Sequence, residues 1–251
     1  MTRRTPSRRA IARERSAAGR VAVPRRVRPR APRLAPEERR AQIVASAIRV
    51  LARRGLGVAS QTDVAREAGV SLPAVFVYFR THELLIGAVL DEIATLYLGL
   101  ATQYLRADVA APRAVLDFAR AFAASVDAQP DHARVWFDWS TAIRGDLWPR
   151  YLAFQKQIVS ALASTIARGQ REGSVAADVA AEDEAWLLVG AAYIVTQMKF
   201  GGAPAARVER FVDTLVRSAV GRFAGDAGAA GPVRRSSSGA PAGARRGRPR
   251  A

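Results

Sequence analysis

The sequence predicts an all-α protein, and three observations carry that reading. Apolar residues recur at three- and four-residue spacings, and no segment sustains the alternation of a half-buried strand. Proline falls at or near the start of several of these segments, and glycine falls at their ends. Residues 61–80, Gln-Thr-Asp-Val-Ala-Arg-Glu-Ala-Gly-Val-Ser-Leu-Pro-Ala-Val-Phe-Val-Tyr-Phe-Arg, have the make-up of two short helices joined by a glycine turn.

The first helix should begin near Pro36, with Glu37 and Glu38 at its positive end. Ile43, Ala47, Val50 and Leu51 form its buried stripe, and Gly55 ends it. Within 61–80, Ala65 is small where two helices must cross. Gly69 supplies a left-handed residue after the first helix, Val70 plugs the turn and Ser71 caps the second helix. Pro73 falls in that helix's first turn, where a missing N–H costs little. Val64, Ala68, Val70, Val75 and Tyr78 provide the apolar contacts between the two. A long helix should run from about Thr81, its cap, to Arg106, with Leu85, Val89, Leu96 and Leu100 on related faces. Further helices are expected near 112–128, 131–143, 146–172, 179–199 and 204–223. Pro112, Pro130, Pro149 and Pro204 stand near their starts, and Gly145, Gly173 and Gly201–Gly202 near their ends.

The net charge of +17 is unevenly placed. Residues 1–33 hold 12 Arg and one Glu, and residues 224–251 hold six Arg and one Asp, so the ends carry +11 and +5. Both are poor in apolar periodicity and are expected to be disordered. The body between them is near-neutral, and the chain's 49% hydrophobic content can fill a core. Four regions follow: a basic arm (1–33), a helix-turn-helix domain (34–83), a second helical domain (84–223) and a basic tail (224–251). No cysteine is present, which excludes disulfide and thiolate chemistry. No run of 18 apolar residues and no signal-peptide core is found, so a cytoplasmic protein without a membrane span is expected.

A helix-turn-helix presents its second helix, here Ser71–Phe79, to a DNA major groove. That helix offers Ser71, Leu72, Ala74, Val77 and Tyr78, and is poor in the Arg, Asn and Gln that read bases bidentately. Ala74 and Val77 suit thymine methyls, whereas Val75, Phe76 and Phe79 are expected to pack in the core. Thr62, Tyr78, Thr81 and His82 are placed for phosphates, aided by helix N-termini. Arg28, Arg30 and Arg33 could enter a minor groove or act as a phosphate tether. Arg246-Gly247-Arg248-Pro249 matches the core of an AT-hook, with a chance match in an Arg-, Gly- and Pro-rich tail as the alternative. The competing reading of the basic ends is a nucleoid-type protein with little sequence specificity.

An enzyme is not expected. His82 and His132 are the only histidines, and G-x-S-x-G, H-E-x-x-H, P-loop and G-x-G-x-x-G patterns are missing. Glu182-Asp183-Glu184 sits at a helix start, where the macrodipole favours acids. No cofactor or metal site is expected.

With these residues in view, the chain resembles the TetR family of transcriptional regulators. Arg39–Val44, Asp63-Val64-Ala65, Ala68–Ser71, Val75–Phe79 and Thr81–Leu85 carry the resemblance. Arg134–Ser140, Arg144 and Trp148-Pro149, with the Arg28-Pro29-Arg30 arm, are similar to its subgroup of LuxR/HapR/SmcR-type quorum-sensing regulators. This chain departs from the subgroup at Val77, where Asn is usual, and at His82, where Arg is. The resemblance implies a homodimer on a near-palindromic operator, with an N-terminal DNA-binding domain and a C-terminal sensing and dimerisation domain. It implies that Tyr97, Phe122, Trp136, Tyr151 and Gln155 line a pocket for a small-molecule effector; plain core packing is the alternative. Trp186, Leu187, Gly190, Tyr193, Ile194 and Gln197 mark one helix face, and Val208, Phe211, Val212 and Leu215 the next. Paired across a two-fold axis these would make a four-helix dimer interface, with a monomer core as the alternative.

Overall fold

The computed structural model describes residues 34–220 except Arg144, and among them it has nine α-helices and no strand. In chain order these are α1 (Pro36–Arg54), α2 (Gln61–Ala68), α3 (Leu72–Tyr78), α4 (His82–Tyr104), α5 (Ala111–Ala128), α6 (Pro130–Thr141), α7 (Trp148–Arg171), α8 (Ala181–Phe200) and α9 (Ala205–Val220). Every expected helix is present, and the ends agree to within about two residues, the last helix's expected end at 223 lying outside the described residues. α4 stops at Tyr104, short of the expected Arg106, and the Leu105 N–H still reaches Ala101 O. The basic arm and tail, including Arg28, Arg30, Arg33 and Arg246–Pro249, lie outside the described residues.

α1 buries Ile43, Ala47, Val50 and Leu51 and packs on α2, α4 and α6. α3 packs chiefly on α2, so its far side stays uncovered. α4 is long and apolar enough to cross a membrane, and it is the one such helix among the described residues. Here it runs through the protein instead. Leu85, Val89, Leu90 and Ile93 are buried against α1, α5, α6 and α7, while Asp91 and Glu92 face outward. The boundary expected between residues 83 and 84 therefore falls inside its first turn. α5 and α7–α9 complete the body around the far half of α4.

Polar contacts fix the helix-turn-helix on α1. Arg49 and Arg53 both reach the Glu67 carboxylate, at 2.8 and 2.5 Å, and Arg54 reaches Asp63 at 3.0 Å. The Gln42 side-chain amide donates to Ala68 O at 3.0 Å, satisfying a carbonyl at the end of α2. Gln61 does the same for Phe79 O at 2.8 Å, tying α2 to the end of α3. Further along, Arg150 of α7 donates to Gly87 O at 2.9 Å and pairs with Asp91, bracing α7 against α4.

The hydrogen bonds from Arg49 and Arg53 hold the Glu67 carboxyl below its ordinary value. The Ser60 hydroxyl and N–H, then Arg54 and Arg66, do so for Asp63. A depressed folded-state value contributes stability that is complete above the unfolded value and lost as pH falls through the folded one. The melting temperature of the full chain should therefore fall as pH drops below about 4.5, the ordinary value for Glu67. Glu67→Gln should flatten that acid limb; an unchanged limb by circular dichroism would show that these pairs do not matter.

Candidate DNA-binding surface and sensor cavity

Local rules set the geometry of the turn. Ser60 caps α2 in a capping box with Asp63, and the Ser-x-x-Asp spacing of residues 60–63 is the sequence signal for it. α2 ends on Gly69, at φ 66° and ψ 30°, where any side chain would be strained. The Val70 N–H then closes on Ala65 O at 3.0 Å. Ser71 Oγ accepts from the Ala74 N–H and Thr81 Oγ1 from the Leu84 N–H, each at 3.3 Å. Both residues are exposed; the Ser71 hydroxyl keeps its own O–H, which can donate to a phosphate oxygen, while that of Thr81 also interacts with the Glu83 carboxyl and helps hold it below its ordinary value.

On α3, Val75 is fully buried and Phe79 nearly so. Because these two fill the buried stripe at i and i+4, residues 76 and 77 turn outward. Val77 is 76% exposed, and Phe76, expected in the core, is 42% exposed. Leu72, Ala74, Tyr78 and His82 are half-buried, and Thr62 is exposed. The outer surface of α3 is thus apolar at Pro73, Phe76 and Val77, with the hydroxyls of Thr62, Ser71 and Thr81 around it. Fixing the helical phase on Val75 identifies Phe76 as a surface residue. Arg40 packs its guanidinium over the Phe79 ring at 5.2 Å, at the edge of this region.

Tyr97, Phe122, Trp136, Tyr151 and Gln155 are brought together from four helices around one cavity of about 60 Å³. The rings of Tyr97, Phe122 and Trp136 lie 5.4–5.7 Å apart, tilted or edge-on. Tyr193 of α8 stacks on Trp136 at 5.0 Å, and its hydroxyl pairs with that of Tyr151. The Gln155 amide donates to both of these hydroxyls at 3.4 Å. The Tyr97 hydroxyl is buried and has no hydrogen-bond partner. The Ser125 hydroxyl is near enough to lower the Tyr97 phenol slightly, but it donates to Phe122 O at 2.7 Å and lies outside hydrogen-bonding geometry with Tyr97. Burial pushes the Tyr97 and Tyr151 phenols well above their ordinary range, so both stay neutral. Trp139 is a core residue: it stacks on Phe154 at 5.5 Å and donates to Leu147 O at 3.1 Å.

Asp138 is half-buried, and desolvation raises its carboxyl above the ordinary range. Among the described residues, no group of three or more His, Asp or Glu side chains is arranged to hold a metal ion.

The outward face of α8 presents Trp186, Leu187 and Ile194 at 45, 60 and 47% exposure, with Gly190 and Gln197 also exposed. Phe211 of α9 is half-buried. The rest of the face expected for a dimer is turned inward. Val208 and Val212 are buried in the core, Leu215 lines the cavity, and Tyr193 belongs to the aromatic cluster. The three α9 side chains lie toward α5 and α8, and Tyr193 lies against α6 and α7.

Residues 43–89 match the family model described as bacterial regulatory proteins, tetR family. The HTH-type transcriptional regulator LuxR of Vibrio harveyi is 33% identical over 125 residues, which is 50% of this chain and 60% of that protein. The chain thus matches less than two thirds of that relative's length. The fold is similar to that of the transcriptional regulator FadR from Bacillus subtilis, solved with stearoyl-CoA, with a TM-score of 0.63 and 14% identity. That likeness covers 72% of this chain and 97% of the other. A TetR-like transcriptional regulator from Rhodococcus sp. RHA1 superposes with a TM-score of 0.64 and 16% identity, over 74% of this chain and 98% of the other. Motif and matched segment agree: residues 43–89 are a helix-turn-helix segment of the kind the tetR family model describes, carried on a body whose fold is similar to that of TetR-like regulators.

Proposed function

We propose that this protein is a homodimeric transcriptional regulator that binds a near-palindromic operator and responds to a small-molecule effector in the body of the chain. The observation that carries the reading is the uncovered surface of α3, seated by Gly69 and capped by Ser71. In this reading α3 enters the major groove, with Val77, Phe76 and Ala74 toward base edges and Thr62, Ser71, Tyr78, Thr81 and His82 toward phosphates. Few bidentate donors are available, so DNA shape and the basic arm carry much of the specificity. Such a protein works in the cytoplasm, where the DNA is.

The outward faces of Trp186, Leu187, Gly190 and Ile194 pair between two copies, and α9 contributes Phe211. Dimerisation sets the distance between the two α3 helices, which must be about 34–36 Å to meet successive major grooves. An effector that prefers another spacing lowers operator affinity, and one without a preference changes nothing. The cavity supports a sensing role because Tyr97 is on α4, the helix that begins beside α3. At about 60 Å³ the cavity is far smaller than an ordinary ligand site of roughly 300 Å³ or more, so binding must displace side chains.

The decisive experiment is selection of bound sequences from genomic DNA, followed by titration of the selected site and a scrambled version. A strong preference for the selected site supports the regulator. Equal affinity for both supports the nucleoid-type reading suggested by the charged ends.

Three outcomes are expected. Tyr78→Ala should weaken operator binding roughly tenfold or more, the value of a hydrogen bond to a charged group, while the dimer persists. A gel-shift titration with unchanged affinity would refute this docking. Leu187→Asp should convert the dimer to a folded monomer with strongly reduced operator affinity, as light scattering and gel shift can establish together. Deleting residues 1–33 should lower the slope of log affinity against log salt by about 0.9 for each phosphate that the arm neutralises. An unchanged slope would show that the arm stays off the DNA.

A further inference from the structure

Taken as the effector site of that reading, on which this inference rests, the cavity has a chemistry that restricts its occupant. None of its lining residues is an Asp, Glu, Lys, Arg or His. An anionic or cationic group placed there would lose its hydration without gaining a counter-charge. Hydrogen-bonding capacity is also limited. Tyr151, Tyr193 and Gln155 are already engaged with one another. The Tyr97 hydroxyl is different: it belongs to a residue only 3% exposed, and it has no partner. A buried hydroxyl left unsatisfied costs free energy, and a protein retains one where something else completes it. Around it, Tyr97, Phe122 and Trp136 offer ring faces and edges at 5.4–5.7 Å spacing, the geometry in which aromatic rings attract.

We propose that the effector is a small uncharged molecule with a ring-bearing apolar body and a hydrogen-bond acceptor that takes the Tyr97 hydroxyl. The ring enters among Tyr97, Phe122 and Trp136. The acceptor, a carbonyl or ring nitrogen, receives the phenolic O–H. Room comes from the half-buried Phe118 and Leu215, which line the cavity and can swing outward. A carboxylate, a phosphate or the nucleotide of a coenzyme A ester is excluded from this interior.

The test uses the full chain and three single-ring probes of matched size: acetophenone, ethylbenzene and benzoate. Affinities are measured by ligand-observed NMR titration at neutral pH. Acetophenone should bind about fivefold more tightly than ethylbenzene, the worth of one hydrogen bond. It should bind at least roughly tenfold more tightly than benzoate, whose charge has no partner. Tyr97→Phe should erase the preference for acetophenone over ethylbenzene and leave ethylbenzene binding unchanged. The same variant, without ligand, should melt at or above the wild-type temperature, because an unsatisfied hydroxyl has been removed. Benzoate binding as tightly as acetophenone would overturn the chemistry while leaving the cavity as the effector site. A retained ketone preference in Tyr97→Phe, or a clear drop in its thermal stability, would overturn the role of the hydroxyl. Failure of all three probes to bind would remove the cavity from the sensing role and this proposal with it, while operator binding by α3 would stand.

Discussion

Burial of the long helix α4 organises this fold: beside the packing of α1 on α6, it is this helix that runs from the end of α3 to the cavity. Its first turn, capped by Thr81, sits at the end of α3, and about four turns later Tyr97 lines the cavity. A helix is stiff along its axis because each turn is hydrogen-bonded to the next. α4 is further held by burial of Leu85, Val89, Leu90 and Ile93 against its neighbours. Close-packed interfaces change by discrete shifts, not by gradual deformation. A side chain displaced at Tyr97 must therefore be accommodated by local repacking or by movement of α4 as a body.

The two parts that α4 joins are built on different physics. The helix-turn-helix is small, and its helices are tied by charge and capping: Glu67 with two arginines, Asp63 with Ser60, and Gln42 and Gln61 on helix-end carbonyls. These contacts fix orientation, which a surface that must match a groove requires. The body is held by apolar and aromatic packing around a void. Its buried polar side chains are satisfied locally, with the Tyr97 hydroxyl as the exception among the described residues.

Helix positions are legible in the sequence because their signals are local. Proline, glycine and hydroxyl caps act within a turn of where they stand, and the i, i+4 stripe of α1 follows directly from its spacing. The five cavity residues are reached only through resemblance, since residues from four helices converge only after folding. Direction around a helix axis is not legible in segments that are apolar nearly all round. Hydrophobicity alone places Phe76 inward, yet Val75 and Phe79 already occupy the buried side of α3. The same reasoning puts Val208, Val212, Leu215 and Tyr193 on a dimer face, although the body needs them to fill its own interior. In both cases a neighbour's demand for volume, which the sequence does not display, decides the outcome.

Gly87 stands where the Arg150 guanidinium crosses α4, and a Cβ built there would lie 3.2 Å from Nη1. Gly99, further along the same helix, has nothing within 4 Å of that position. Glycine in a helix interior costs roughly 1 kcal/mol relative to alanine. That cost admits the guanidinium to the Gly87 carbonyl and thereby couples α7 to α4 between the DNA-facing turn and the cavity. An alanine would stiffen the helix and crowd its brace. The chain thus trades the intrinsic rigidity of one helix for a joint between two, and this residue can improve one only at the expense of the other.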